Sequence, residues 1–223
     1  MLKLVLVLTL LILVTSAAQT KTLGTAYVST SQLDTGPKLE TRPQSPWLLL
    51  YTAGVKFLVE RKYGLAESTL LASIKEAKNN RGAAPELAQS RAALGFVSLA
   101  QYSYNEAESL FANALGTLRK SNDSKNLADA LYGMAVAQLN LGETTKARTS
   151  AQEALELQSN LFGASHHEVG QTLIVLGRAL TKLNLDAEGE EKMQLGLSIL
   201  RREPGFRKLD YADALREVAM YYQ

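Results

Sequence analysis

Four small residues, Ala66, Ala107, Ala147 and Gly189, stand 41, 40 and 42 positions apart in this chain of 223 residues. Other columns keep the same step. Gly54, Gly95, Ala135 and Gly177 lie twelve residues before them, and Ser73, Ala114, Ala154 and Gly196 lie seven residues after. A large aliphatic follows each member of that last set, at Ile74, Leu115, Leu155 and Leu197, and Leu70, Phe111, Ala151 or Met193 precedes it by three. Agreement of five columns at one period forces the chain to use one supersecondary unit repeatedly, each copy burying its apolar face against its neighbours. The small columns let helices approach closely and the large ones fill the gaps between units.

The segment from Glu86 to Arg119 shows what the unit is. Arg91, Leu94, Gly95, Ser98 and Leu99 share one helical face, and Ala107, Leu110, Phe111, Ala114, Leu115 and Leu118 form a second stripe at spacings of three and four. Between them, Ser103 with Glu106 three residues on predicts a capping box that starts a second helix at Tyr104. The unit is a helical hairpin, and the fold class is all-α. Hairpins are expected at about 46–78, 85–120, 124–161 and 165–201. Ser45 and Pro46 provide an N-cap and a first helical position for the first, and Asn79 to Gly82 break its end. Gly142 and Asn184 are expected at positive φ in the third and fourth turns, and the fourth hairpin is expected to open on a capping box from Ser165 to Glu168 and to end at Pro204-Gly205. In a last segment, 210–222, Leu215, Val218, Ala219 and Tyr222 follow Leu173, Leu176, Gly177 and Leu180 by 42, which predicts a lone capping helix over the last apolar face, or a chain cut within a fifth repeat. Gly189 and Gly196 sit where other repeats mostly carry Ala or Ser, and a helical Gly costs about 1 kcal/mol relative to Ala. The fourth hairpin is therefore expected to open first, and Gly196→Ala to raise its protection if a methyl group has room.

The small-residue spacing, with an aromatic three residues before the middle small residue at Tyr63 and Tyr104, resembles the tetratricopeptide repeat. The longer period is similar to the subclass with kinesin-light-chain-like repeats of about 42 residues, and Gly163 to Val169, GASHHEV, resembles that subclass's Gly-x-Asp-His-Pro-x-Val linker with Ser165 for Asp and His167 for Pro. The resemblance covers Pro46 to Tyr222. It implies a right-handed α-solenoid whose first helices line a concave groove. Chaperone-tail receptors of this fold hold a terminal carboxylate with a Lys/Asn/Arg clamp, but the matching columns here carry Tyr51, Val55, Ala93, Asp129 and Gly133. The Asn that kinesin-light-chain-like repeats place beside the small residue is replaced by Thr52, Ala93, Gly133 and Val175.

Met1 to Ala18 reads as a secretory signal, with Lys3 as its positive end, an apolar run from Leu4 to Val14 interrupted only by Thr9, and small residues at Ser16 and Ala18 before Gln19. A retained anchor is the competing reading, but the run falls short of the about 20 apolar residues that span a bilayer. Residues 19–45, rich in Thr, Ser, Pro and Gly, read as a polar linker or arm. The chain has no cysteine, which excludes a disulfide scaffold, a thioether anchor and cysteine catalysis. With 24 basic and 22 acidic residues and no Lys/Arg cluster, nucleic acid is not an expected partner.

No Gly-rich phosphate loop or nucleophile elbow occurs, and no enzyme, metal or cofactor is expected. The two histidines, His166 and His167, are adjacent, a spacing that seldom aims both rings at one ion, and Glu168 is assigned to the capping box. Asp186, Glu188, Glu190 and Glu191 complement a helix dipole. What remains is a binding surface. The resemblance places Tyr51, Val55, Gln89, Phe96, Tyr132, Asn140, Gln171, Arg178 and Lys182 in the groove, with Leu48, Ala92, Asp129, Val136 and Ile174 in the same columns. Aromatic area beside amides and cations suits an extended peptide or a docked helix, whereas packing between neighbouring first helices would also account for the aromatics. The expected function is an exported, periplasmic or secreted bacterial scaffold, without enzymatic activity, that binds a protein or peptide. One alternative is a component of an envelope assembly or secretion complex that uses the convex face or the arm. Another is a small-ligand binder or enzyme with a pocket near Arg178 and Lys182.

Overall fold

The computed structural model describes residues 45–79 and 83–202; the signal segment, nearly all of the arm and the capping helix expected from the sequence at 1–18, 19–45 and 210–222 fall outside the described residues. Eight helices follow one another without an intervening strand among the described residues: α1 (Pro46–Val59), α2 (Tyr63–Asn79), α3 (Ala84–Ala100), α4 (Tyr104–Leu118), α5 (Ser124–Asn140), α6 (Thr144–Phe162), α7 (His167–Lys182) and α8 (Asp186–Arg202). They pair as four hairpins stacked in chain order, an α-solenoid.

The turn inside each hairpin has one construction. Arg61, Tyr102, Gly142 and Asn184 occupy it with φ of 58°, 63°, 80° and 60°. The residue after each donates its amide to the carbonyl five positions back: Lys62 to Phe57 at 2.9 Å, Ser103 to Ser98 at 2.8 Å, Glu143 to Gln138 at 2.9 Å and Leu185 to Leu180 at 3.0 Å. The positive-φ residue itself donates three back, as Tyr102 does to Leu99 at 3.0 Å. This is the Schellman pairing, which satisfies the last carbonyls of the first helix and reverses the chain in three residues. Gly142 and Asn184 are where the sequence placed them; Arg61 and Tyr102, which carry a Cβ into the same backbone, are not foreseen by residue type.

Two caps differ from expectation. Ser103 is the N-cap of α4, but its side chain makes no capping bond. The Ser103 amide that the Glu106 carboxylate would have reached already bonds to the Ser98 carbonyl at 2.8 Å, so that half of the box has no donor to satisfy. At the fourth hairpin the N-cap is His166 and not Ser165, and its ring nitrogen accepts from the Glu168 amide at 3.4 Å. Glu168 is thereby the second residue of the helix and buried, not the reciprocal member of a box. The Ser45 cap on Leu48 and Pro46 at the first position are as expected.

Inside each hairpin the small column of the first helix meets the column sixteen residues later. A Cβ on Gly54 would come within 2.6 Å of Leu70, one on Gly95 within 2.9 Å of Phe111, and one on Gly177 within 2.6 Å of Met193. In the third hairpin, Ala135 and Ala151 share a buried cluster instead. Size is traded across the pair, glycine against a large residue and alanine against alanine. The last hairpin is the closest approach: a Cβ on Gly189 would collide with Thr181 and stand 2.7 Å from the Gly177 carbonyl, and one on Gly196 would stand 2.6 Å from the Gly170 carbonyl. A methyl group has no room at Gly196. The glycines that the sequence reads as a weakness are what allow α7 and α8 to touch backbone to backbone.

Buried hydroxyls and amides also join elements. Ser90 on α3 donates to the Glu86 carbonyl at 2.9 Å while its oxygen accepts from the Trp47 indole at 2.8 Å and from Ser73 at 2.7 Å, which ties α1, α2 and α3 at one atom with its hydrogen-bonding capacity filled. Thr172 on α7 bonds Gln158 on α6 at 2.6 Å across the next interface but one.

Curvature follows from which helices touch. The first helices pack backbone to backbone along the stack, α1 with α3, α3 with α5 and α5 with α7, whereas among the described residues the second helices stand further apart and are bridged by side chains, as where Arg119, the C-cap of α4, pairs with Glu153 on α6. The side on which helices converge is the inner one, so α1, α3, α5 and α7 make the concave surface.

Candidate functional site

The residues expected in a groove lie on α1, α3, α5 and α7, and they do different work. Tyr51 on α1 stacks on Trp47 with ring centroids 5.3 Å apart and packs against the cluster around Leu58, Leu70 and Leu94, as does Val55. Phe96 on α3 meets Phe111 edge to face at 5.1 Å and bridges two core clusters, and Tyr132 on α5 likewise belongs to two. Both rings are half-buried, so they hold neighbouring hairpins together while leaving an edge to solvent. Ala92 and Ile174, from the same columns, are buried and line nothing. Gln89 donates to Asp123 at 3.0 Å, and the Asn140 amide is turned back onto the Val136 carbonyl of its own helix at 2.8 Å. Gln171 and Arg178 are half-buried on α7, and Lys182 is exposed at its end. A shallow depression on α8, lined by Gln194, Leu197, Ser198 and Arg201, includes neither Arg178 nor Lys182.

Between the aromatic and the basic stretch lies an ionisable cluster that the sequence did not single out. Lys125 and Asp129, one turn apart on α5, pair at 3.0 Å. Burial pushes the Asp129 carboxyl up in spite of Lys125, and Asp123 adds to the rise. For Lys125 burial acts downward, yet Asp129, Glu168 and Asp123 hold the ammonium above its ordinary value. Glu168 is pushed up to about 7 by burial and by Asp129, with Lys125 opposing. Its Oε2 is buried without a hydrogen-bond partner. His167 is pulled down to about 4 by burial, then by His166 and Lys125. A buried carboxyl left so incompletely paired is costly unless something in the functional state answers it.

The histidine pair also departs from expectation. His166 stacks on Phe162 at 4.6 Å and on His167 at 4.2 Å, and ligand atoms of His166, His167 and Glu168 all lie within 4.8 Å of one another. Both reasons for setting a metal aside, diverging side chains and a Glu168 engaged in a capping box, fail in this geometry. The signal available in the sequence was register. Lys125 and His167 are 42 residues apart, as are Asn126 and Glu168, so the first turns of successive inner helices stack their ionisable groups.

No family model and no curated protein matches this sequence. Solved structures share the fold. BtubC (BKLC) from P. vanneervenii superposes with a TM-score of 0.67 at 17% identity, over 79% of this chain and 72% of its own. The apo form of RapI superposes with a TM-score of 0.63 at 13% identity, over 79% of this chain and 48% of its own, so this chain spans about half of RapI. At such identities the likeness establishes the helical-repeat fold alone. Among the described residues no helix is long and apolar enough to cross a membrane.

Proposed function

We propose that this chain is a tetratricopeptide-like adaptor with kinesin-light-chain-like repeats, exported and without enzymatic activity, that holds a peptide or protein segment on its concave surface. The observation that carries the reading is the convergence of α1, α3, α5 and α7 into one inner surface, on which aromatic edges at Tyr51 and Tyr132, the Lys125–Asp129–Glu168 cluster and the cations Arg178 and Lys182 follow one another. Such a surface offers apolar area, hydrogen bonds and charge in sequence along a groove, which is how an extended segment is read. Export rests on Met1 to Ala18, and mass spectrometry of the chain from its own envelope fraction is expected to show a mature start near Gln19.

A photo-crosslinkable side chain at Gln171 on the inner surface, compared with one at the exposed Gln152 on α6, tests the face. Capture from Gln171 that weakens when Arg178→Ala is added supports the groove, with a loss of about 2 kcal/mol in partner affinity for Gln171→Ala together with Arg178→Ala. Capture from Gln152 alone would move the adhesive surface to the convex side and favour a structural component of an envelope assembly.

A further inference from the structure

At the start of α7 three consecutive side chains converge. His166, His167 and Glu168 each present a ligand atom, and these atoms lie within 4.8 Å of one another. Helix geometry alone would splay them; the convergence comes from the cap. His166 stands outside the helix with φ −77° and ψ 148°, so its ring folds back over the first turn, held between Phe162 at 4.6 Å and His167 at 4.2 Å. Its cap contact with the Glu168 amide is long at 3.4 Å, weak enough to yield to a stronger partner at that nitrogen.

An independent observation points to a ligand. Glu168 is 8% exposed, and its Oε2 is buried with no hydrogen-bond partner. The neighbouring ammonium, Lys125, is held by Asp129 at 3.0 Å. A carboxylate oxygen enclosed beside two imidazoles, with no donor of its own, is the arrangement a cation completes.

We propose that His166, His167 and Glu168 form a binding site for a borderline divalent transition metal, Zn²⁺ foremost. Two nitrogen donors and one oxygen suit Zn²⁺, Co²⁺, Ni²⁺ or Cu²⁺, and not Ca²⁺ or Mg²⁺, which call for oxygen alone. Three protein ligands leave a position for water or for a donor on a bound partner. Placed there, the ion clamps the junction between the third and fourth hairpins, because Phe162 at the end of α6 backs the His166 ring. It also lies at the first turn of an inner helix, beside the surface formed by α5 and α7.

The experiment is a titration of the tag-free, chelator-treated full chain with Co²⁺, followed by visible absorption, and with Zn²⁺ by calorimetry. One ion per chain is expected, with the absorption intensity of a four-coordinate nitrogen and oxygen site. Glu168→Gln and His167→Asn should each weaken the ion by at least about tenfold, since even outer-shell changes cost that much. Equal affinity in wild type and both variants would mean an adventitious ion only, and would overturn the site. Should a variant not fold, nitrogen NMR of the wild-type imidazoles decides: Zn²⁺ must move both His166 and His167, and a response from neither or from His166 alone overturns the proposal.

Discussion

The tip of the Phe111 ring on α4 fills the space that a methyl group on Gly133 of α5 would need. The same ring closes on Gly95 of its own hairpin, where a Cβ would stand 2.9 to 3.1 Å from it. Phe111 is thus a wedge between two glycines, one in its own hairpin and one in the next. Gly133→Ala is expected to destabilise the array by about 1–3 kcal/mol through overpacking. Phe111→Leu in the same chain should recover part of that loss, although Phe111→Leu alone is destabilising. Urea denaturation of the two single variants and the double variant measures the coupling, and additive losses would show that the ring can swing aside without cost.

Two glycines of similar helical position should respond in opposite ways to the same substitution. Gly196 on α8 faces the Gly170 carbonyl and the Ile174 side chain, and a backbone carbonyl in a packed helix cannot move away. Gly196→Ala is expected to cost about 1–3 kcal/mol and to speed hydrogen exchange in α7 and α8. Gly116 on α4 has nothing within 4 Å of an added Cβ. Gly116→Ala should stabilise by about 0.5–1 kcal/mol, the propensity difference alone. Slower exchange in α8 of Gly196→Ala would restore the reading of that glycine as a weakness.

These contrasts show what a sequence reports and what it withholds. The repeat period and the helical hairpin were legible because apolar spacing and residue size are local and recur four times, whereas the large column, expected between units, meets the small column inside the hairpin at Gly54 and Leu70, Gly95 and Phe111, and Gly177 and Met193. Whether Gly196 is a defect or a contact was not, since both leave the same letter in the same column and only the distance to Gly170 separates them. The columns expected to line a groove fall on α1, α3, α5 and α7, but the share of Phe96 and Tyr132 taken by packing depends on side chains from adjacent hairpins and was not legible. The Lys125, Asp129 and Glu168 cluster was hidden because residues 39 to 43 apart become neighbours only when first helices stack in register.

Tyr102 sits at the turn between α3 and α4 with φ 63° and is 77% exposed. A left-handed backbone costs a residue with a Cβ about 1–2 kcal/mol, less for Asn, which holds the same place as Asn184 in the fourth turn. The compensation visible is an edge contact with Tyr104 at 6.3 Å, worth about 0.5–1.5 kcal/mol for a well-packed pair and less for one so exposed. Tyr102→Asn is therefore expected to raise stability by a few tenths to about 1 kcal/mol. Thermal denaturation reads the sign, and a lowered melting temperature would mean that the tyrosine pair outweighs the turn.

Tyr51 gives the inner surface a signature at high pH. Burial first, then the charges of Asp129 and Asp123, push its phenol from the ordinary 10.0 up to about 12. The folded chain therefore keeps a proton that the unfolded chain releases near 10. The stability linked to Tyr51 is complete below that value and is lost as pH rises through the folded value near 12, by an amount on the order of 2 kcal/mol. Among nine tyrosines the group is isolated by subtraction: the phenolate absorbance of wild type minus that of Tyr51→Phe should titrate with a midpoint well above 10, and Tyr51→Phe should flatten the alkaline fall in stability. Asp129→Asn is expected to bring the midpoint down only part of the way, because burial is the larger cause and stays in place. A difference titration centred at 10 would show that water reaches the hydroxyl, and that the inner surface is open around Tyr51.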